Sequence, residues 1–175
     1  MTVGQKHDTG KLPYELLPLS GLYEIARVLT YGARDKYAPC NYMYVENGKS
    51  RYTAACWRHI SKHMQGQILD NETNMPHLAH AGCCMFMIGA LNYPVQDCHP
   101  TTGENVRMDL VPFAVLDTVV ACLPANTERH AEQTLEAWTA FLCGQDTLPL
   151  AIAHLLNWIE HIRPQHTGAL AARVA

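Results

Sequence analysis

The sequence predicts an all-α protein. Apolar residues recur at spacings of three and four wherever a period can be read, no window alternates apolar and polar residues with a period of two, and proline or glycine punctuates the segment ends. Leu19, Leu22, Ile25, Ala26 and Leu29 predict one face of a first helix, with Gly32 placed to cap its C-terminus. Ala54, Trp57, Ile60 and Met64 predict a second helix over about residues 51–65. A polar loop, QGQILDNETN, leads to Pro76, a residue tolerated in a first helical turn. The third helix begins there and carries Leu78, Ala81, Met85, Ile88 and Leu91. Residues 94–108 contain Pro, Gly and Asn and read as a connection, followed by helical segments at about 109–123, 128–143 and 148–162.

The second half echoes the first. Glu15-Leu-Leu-Pro18 and the helix after it correspond to Asp109-Leu-Val-Pro112 and its helix, and Met75-Pro76-His77-Leu78-Ala79 has a weaker counterpart in Leu148-Pro149-Leu150-Ala151-Ile152. Leu150 and Ala153 stand where the early segment has His77 and His80. The expected organisation is one compact unit: a catalytic half over residues 1–93, the connection 94–108, and a second half over 109–175 that is a degenerate tandem repeat.

Composition excludes several classes. The chain of 175 residues is 48% apolar and 17% charged, which suits a folded core rather than disorder. No stretch approaches the roughly 18 uninterrupted apolar residues of a membrane span, and the first residues, MTVGQKHDTGK, do not form a signal peptide, so a cytoplasmic protein without membrane contact is expected. Seven cysteines with no C-x-x-C pair form an odd set that predicts neither a disulfide framework nor a common structural zinc site. Residues 1–62 carry nine Lys/Arg against five Asp/Glu, and residues 63–175 four against eleven, within a formal net charge of −3. That asymmetry suits a small polyanion better than a nucleic acid. Apolar faces beyond what one short bundle covers predict self-association into a homo-oligomer.

The chemistry concentrates between residues 58 and 80. His59 and His63 lie four apart on the second helix and His77 and His80 three apart on the third, so each pair shares a face. An antiparallel hairpin of those helices brings the pairs together, with Asp70 and Glu72 in the turn beside them. Imidazole and carboxylate groups without thiolate predict a divalent metal site, with Mg²⁺ or Mn²⁺ as the expected ion. A second constellation is basic and aromatic: Lys11, then Lys36, Tyr37, Asn41 and Tyr42, with Arg58 and Lys62 on the second helix. Cations of this kind hold phosphate oxygens, while aromatic rings and an amide suit a base and sugar. No G-x-x-x-x-G-K-[ST], G-x-G-x-x-G, G-x-S-x-G or H-E-x-x-H motif is present.

Taken together, K-x-D-x-G-K (Lys6 to Lys11), T-Y-G-A-R-D-K-Y (Thr30 to Tyr37) with Asn41-Tyr42, A-x-x-R-H (Ala55 to His59), G-Q-x-x-D-x-E-T (Gly66 to Thr73) and H-L-A-H-A (His77 to Ala81) resemble the phage dATP/dGTP diphosphohydrolases, the MazG-like proteins called MazZ. The resemblance covers roughly residues 5–92. It implies an all-α, MazG-like helical bundle and metal-dependent hydrolysis of purine deoxynucleoside triphosphates. It also implies a place in phage nucleotide metabolism, supplying dGMP for 2,6-diaminopurine DNA. Gln67, Tyr42 and Cys84 depart from the family pattern, and the E-x-x-E and E-x-x-D helical pairs of MazG enzymes are absent.

The expected enzyme is therefore a dGTP/dATP diphosphohydrolase that yields the monophosphate. Its expected metal ligands are His59, His63, Asp70, Glu72, His77 and His80. His59, Glu72 and Arg58 are the candidate catalytic groups, and Lys11, Lys36, Tyr37, Asn41, Tyr42 and Lys62 the candidate substrate contacts. Two alternatives stay open: a histidine-aspartate phosphohydrolase acting on a nucleoside monophosphate, and a non-enzymatic helical interaction protein stabilised by metal.

Overall fold

The computed structural model describes residues 17–92 and 129–162, together with Val119. Five α-helices are seen among the described residues: α1 (Leu19–Tyr31), α2 (Gly48–Met64), α3 (His77–Asn92), α4 (His130–Leu142) and α5 (Leu148–Ile162). The all-α expectation holds, and β-pairing among the described residues amounts to one isolated bridge between Leu69 and Pro76. The first expected segment of the second half, at about 109–123, lies outside the described residues except for Val119, which is helical and fully buried.

Helices α2 and α3 form an antiparallel hairpin. Gly48 at the start of α2 faces Leu91 near the end of α3, and His59 toward the end of α2 faces His77 at the start of α3. A second hairpin joins α4 to α5, tied where the Thr147 hydroxyl donates to the Ala137 carbonyl across 2.8 Å. Helix α1 packs on α3 and α5, and α3 packs on α5, so α3 is the central rod. Its residues are buried around nearly the whole circumference, from His77 and Leu78 through Phe86 to Ala90, as a helix without a polar face requires.

Two helices are rotated from the faces their sequences suggest. On α1 the core side is Gly21, Ile25 and Val28, whereas Leu19 is 69% exposed and Ala26 is exposed. The reason lies in backbone proximity: a Cβ on Gly21 would stand 2.7 Å from the Leu156 carbonyl oxygen, so α1 turns its smallest residue to α5. On α2 the buried stripe is Cys56, Ile60 and His63, with Trp57, Met64 and Ala54 outside. Of the four apolar residues expected to face inward, only Ile60 does. The hairpin with α3 sets this rotation, and it turns the histidine face of α2 inward.

Gly32 closes α1 but not by a left-handed cap. Its φ of −56° is right-handed, and the chain widens into a π-helical turn over Gly32–Lys36, closed by a 2.7 Å bond from the Tyr37 N–H to the Gly32 carbonyl. A 3₁₀ turn over Asn41–Tyr44 follows, and Asn47 at φ 53° turns the chain into α2 three residues before the predicted start.

Candidate active site

The loop between α2 and α3 is folded back on itself. The Asp70 N–H donates to the Met75 carbonyl at 2.8 Å and the His77 N–H to the Ile68 carbonyl at 2.9 Å, which fixes Asp70 beside the first turn of α3. Asp70 Oδ1 in turn accepts from the backbone N–H groups of Glu72 and Thr73, each at 3.1 Å, and from the Thr73 hydroxyl at 3.3 Å. An aspartate two and three residues before free N–H groups makes this turn readily. Asp70 Oδ2 lies 3.8 Å from His77 Nδ1.

Three of the expected ligands come together. His59, Asp70 and His77 each offer one donor atom, and the three atoms lie within 4.8 Å of one another. His59 Nδ1 and His77 Nδ1 are 2.9 Å apart, and the His59 ring stacks on the His80 ring at 4.6 Å between centroids. His80 stands behind this group: its Nε2 is 2.8 Å from Thr73 Oγ1. The Thr73 hydroxyl thus links the His80 ring to the Asp70 carboxylate.

The other expected ligands are elsewhere. His63 is buried and meets the edge of the Trp158 ring at 5.2 Å between centroids, on the α5 side of the hairpin. Glu72 points to the surface, where it pairs with Lys36 at 2.7 Å and accepts from the Tyr31 hydroxyl at 3.4 Å. Its carboxylate is not among the clustered donor atoms of His59, Asp70 and His77.

Electrostatics keep the imidazoles neutral. Burial first, then the like charges of the His80 and His77 rings, lower the His59 pKa to about 4. Burial also lowers His77 and His80. For Asp70, burial raises the pKa, but the Thr73 N–H, the His80 ring and the Glu72 N–H together hold it below the usual carboxylate value. The histidine shifts make a stability prediction with a definite sign. The unfolded chain takes up protons below the ordinary imidazole value of 6.5, while folded His59 stays neutral until about pH 4. Stability present above pH 6.5 is therefore lost as pH falls toward 4, reinforced by His130 and His154, which burial also lowers. Metal-free melting temperatures should fall steadily over that window; a flat profile would contradict the buried, neutral imidazoles.

A cavity of about 630 Å³ opens from this cluster toward α1. His59, Asp70, Glu72 and His80 line it together with four of the expected substrate contacts, Lys36, Tyr37, Asn41 and Tyr42, and with Arg58. Lys62 is exposed on α2, near enough for its charge to lower His59 and His77, and is not in the lining. Lys11 lies outside the described residues.

Sequence reasoning missed Thr73, Arg51 and Tyr52, all of which line the cavity. Helical spacing backward from His59 through Ala55 to Tyr52 was the available signal for α2. For Thr73 it was an aspartate three residues earlier. Thr73→Val is expected to lower turnover by about tenfold, in the range seen when outer partners of functional groups are removed, with Thr73→Ser restoring most of it. Equal rates for the valine and serine variants would show that the hydroxyl does not orient Asp70 and His80.

Residues 1–98 match the dATP/dGTP diphosphohydrolase N-terminal family. The chain belongs to that family. No curated protein and no solved structure matches it. The dATP/dGTP diphosphohydrolases are enzymes acting on nucleoside triphosphates, and the non-enzymatic alternative falls with that membership. The family match spans α1, α2 and α3, and with them every described residue of the cavity lining. Among the described residues no helix is long and apolar enough to cross a membrane.

Proposed function

We propose that this diphosphohydrolase converts dGTP or dATP to the monophosphate, with a divalent ion, at the cavity between α1 and the α2–α3 hairpin. One observation carries the reading: an imidazole–carboxylate group and three cations, Lys36, Arg51 and Arg58, line a single cavity of about 630 Å³. That volume lies in the range of small-molecule sites, and the mixed lining suits a ligand with one flat apolar end and one anionic end.

His59, Asp70 and His77 fit a divalent ion by donor chemistry, and the two neutral imidazoles leave lone pairs available. A bound ion supplies charge neutralisation on phosphate oxygens and a more acidic water. Arg58 and Lys36 hold the phosphate tail, with Lys62 and Lys11 as further cations toward it, and Tyr37, Tyr42 and Asn41 face the base and sugar. Lys36 reaches a phosphate by leaving Glu72, which frees that carboxylate. Glu72, once released, takes the proton of the water as the water oxygen bonds to the α-phosphorus, while His59 serves the ion and helps to place that water. The bond from that phosphorus to the bridging oxygen breaks, and pyrophosphate leaves with the electron pair. The biological reading that follows is supply of dGMP for 2,6-diaminopurine DNA in a phage-infected cell's cytoplasm.

The test is incubation with each deoxynucleoside triphosphate and each divalent ion, with every product identified by chromatography. Deoxynucleoside monophosphate and pyrophosphate from the purine substrates is the expected result. Phosphate released from dGMP with dGTP untouched would instead establish the histidine-aspartate phosphohydrolase alternative. Self-association is part of the same reading, supported by the exposed Leu19, Tyr23, Trp57 and Met64. Light scattering at micromolar concentration should exceed the 19.5 kDa of one chain, and a monomer would refute it.

A further inference from the structure

We infer that the ion position formed by His59, Asp70 and His77 selects a borderline first-row transition ion, of the Fe²⁺ to Zn²⁺ class, and that Mg²⁺ alone does not occupy it. The inference deepens the proposed function and rests on its assignment of these three residues to the ion.

The donor count is the first argument. Two of the three donor atoms are imidazole nitrogens and one is a carboxylate oxygen. Imidazole suits Fe, Co, Ni, Cu and Zn, whereas Mg²⁺ is held by carboxylates, carbonyls and retained water. The carboxylate share is smaller than the residue count suggests. Asp70 Oδ1 already accepts from Glu72 N–H, Thr73 N–H and the Thr73 hydroxyl, which leaves Oδ2 as the oxygen on the His77 side. The next acid along the loop, Glu72, is outside the His59, Asp70, His77 donor group and is tied to Lys36 as long as no phosphate draws that lysine away. A hard ion thus finds one free carboxylate oxygen where it needs several.

Spacing is the second argument. Two nitrogens bound at about 2.0–2.1 Å to one ion at a right angle lie about 3 Å apart, and His59 Nδ1 and His77 Nδ1 are 2.9 Å apart. The two nitrogens share a hydrogen bond at that separation, so an ion would take the place of the shared proton without moving either ring far. The surroundings are the third. His77 is 1% exposed, and His59 is held between the His77 ring and the stacked His80 ring, which Thr73 anchors. Such a position favours an ion that exchanges its water for nitrogen ligands over Mg²⁺, which dehydrates reluctantly.

Co²⁺ provides a direct probe, because its visible absorption reports ligation without reference to turnover. The full chain, stripped with chelator and titrated with Co²⁺, should develop absorption bands that saturate at one ion per chain and persist in millimolar Mg²⁺. His59→Gln and Asp70→Asn should each weaken Co²⁺ binding at least about tenfold, with helical circular dichroism confirming that the variants fold. Asp70→Asn preserves shape and decides the matter should His59→Gln lose helicity. Displacement of Co²⁺ by millimolar Mg²⁺, or bands unchanged in Asp70→Asn, would overturn the inference. The two failures are separable. Hydrolysis of dGTP or dATP with Mg²⁺ by a chain that binds no Co²⁺ retains the proposed function and removes this inference, whereas Co²⁺ bound as described without hydrolysis of any nucleotide does the opposite.

Discussion

Asp70→Asn is expected to lower turnover of dGTP and dATP by at least about a hundredfold while leaving the metal-free melting temperature nearly unchanged. The carboxylate does two jobs with two oxygens. Oδ1 holds the loop through three donors, from Glu72 N–H, Thr73 N–H and the Thr73 hydroxyl. An asparagine carbonyl oxygen accepts the same three bonds, so the loop keeps its shape. Oδ2 faces His77 at 3.8 Å and supplies the negative charge in a group otherwise made of neutral imidazoles. Asparagine removes that charge, and with it the attraction for a divalent ion and for the water it acidifies. Glu72→Gln provides the contrast. Glu72 is 56% exposed and paired with Lys36, so its loss should raise KM by changing how Lys36 is held and also lower kcat by removing the proposed proton acceptor. Steady-state kinetics on both variants, with melting curves, check the pair of expectations. Normal kcat for Asp70→Asn would remove the carboxylate from the chemistry.

Gly21→Val should damage the fold severely, with a loss of about 3 kcal/mol, at the upper end of ordinary overpacking. An added Cβ at Gly21 meets the Leu156 carbonyl oxygen at 2.7 Å, and that oxygen belongs to the backbone of α5, which cannot rotate aside. A fall in melting temperature of roughly 6–12 °C follows for a chain of this size. Gly32→Ala is the control. A Cβ there has its nearest neighbour at 3.8 Å, on the Tyr37 side chain, and φ is −56°, so alanine fits without strain. It should be neutral or slightly stabilising through helix propensity. Thermal unfolding of the two variants side by side checks this; equal stability would mean that α1 and α5 do not approach as closely as Gly21 allows.

The sequence by itself determined the helices. Segments around residues 19–29, 76–91, 128–143 and 148–162 carry their period and their stop signals locally, because a helix closes its hydrogen bonds within its own segment. It also determined the stretch that holds the candidate site, since His59, Asp70, His77 and His80 fall on one short hairpin. Tertiary structure alone decided how each helix is turned about its axis. Spacing put Trp57 and Met64 inside, yet α2 buries Cys56, Ile60 and His63, because the facing surface of α3 rather than hydrophobicity along α2 sets the contact. The same rotation sorts four histidines into different surroundings: His59 and His77 meet at 2.9 Å, His80 backs them through Thr73, and His63 turns to Trp158. Glu72 stands apart from the His59, Asp70, His77 group for a comparable reason, since its partner Lys36 sits on a π-helical turn that no local pattern places within reach. Local periodicity fixes which residues share a helix; which of them share a site depends on distances across helices, and those follow only from packing.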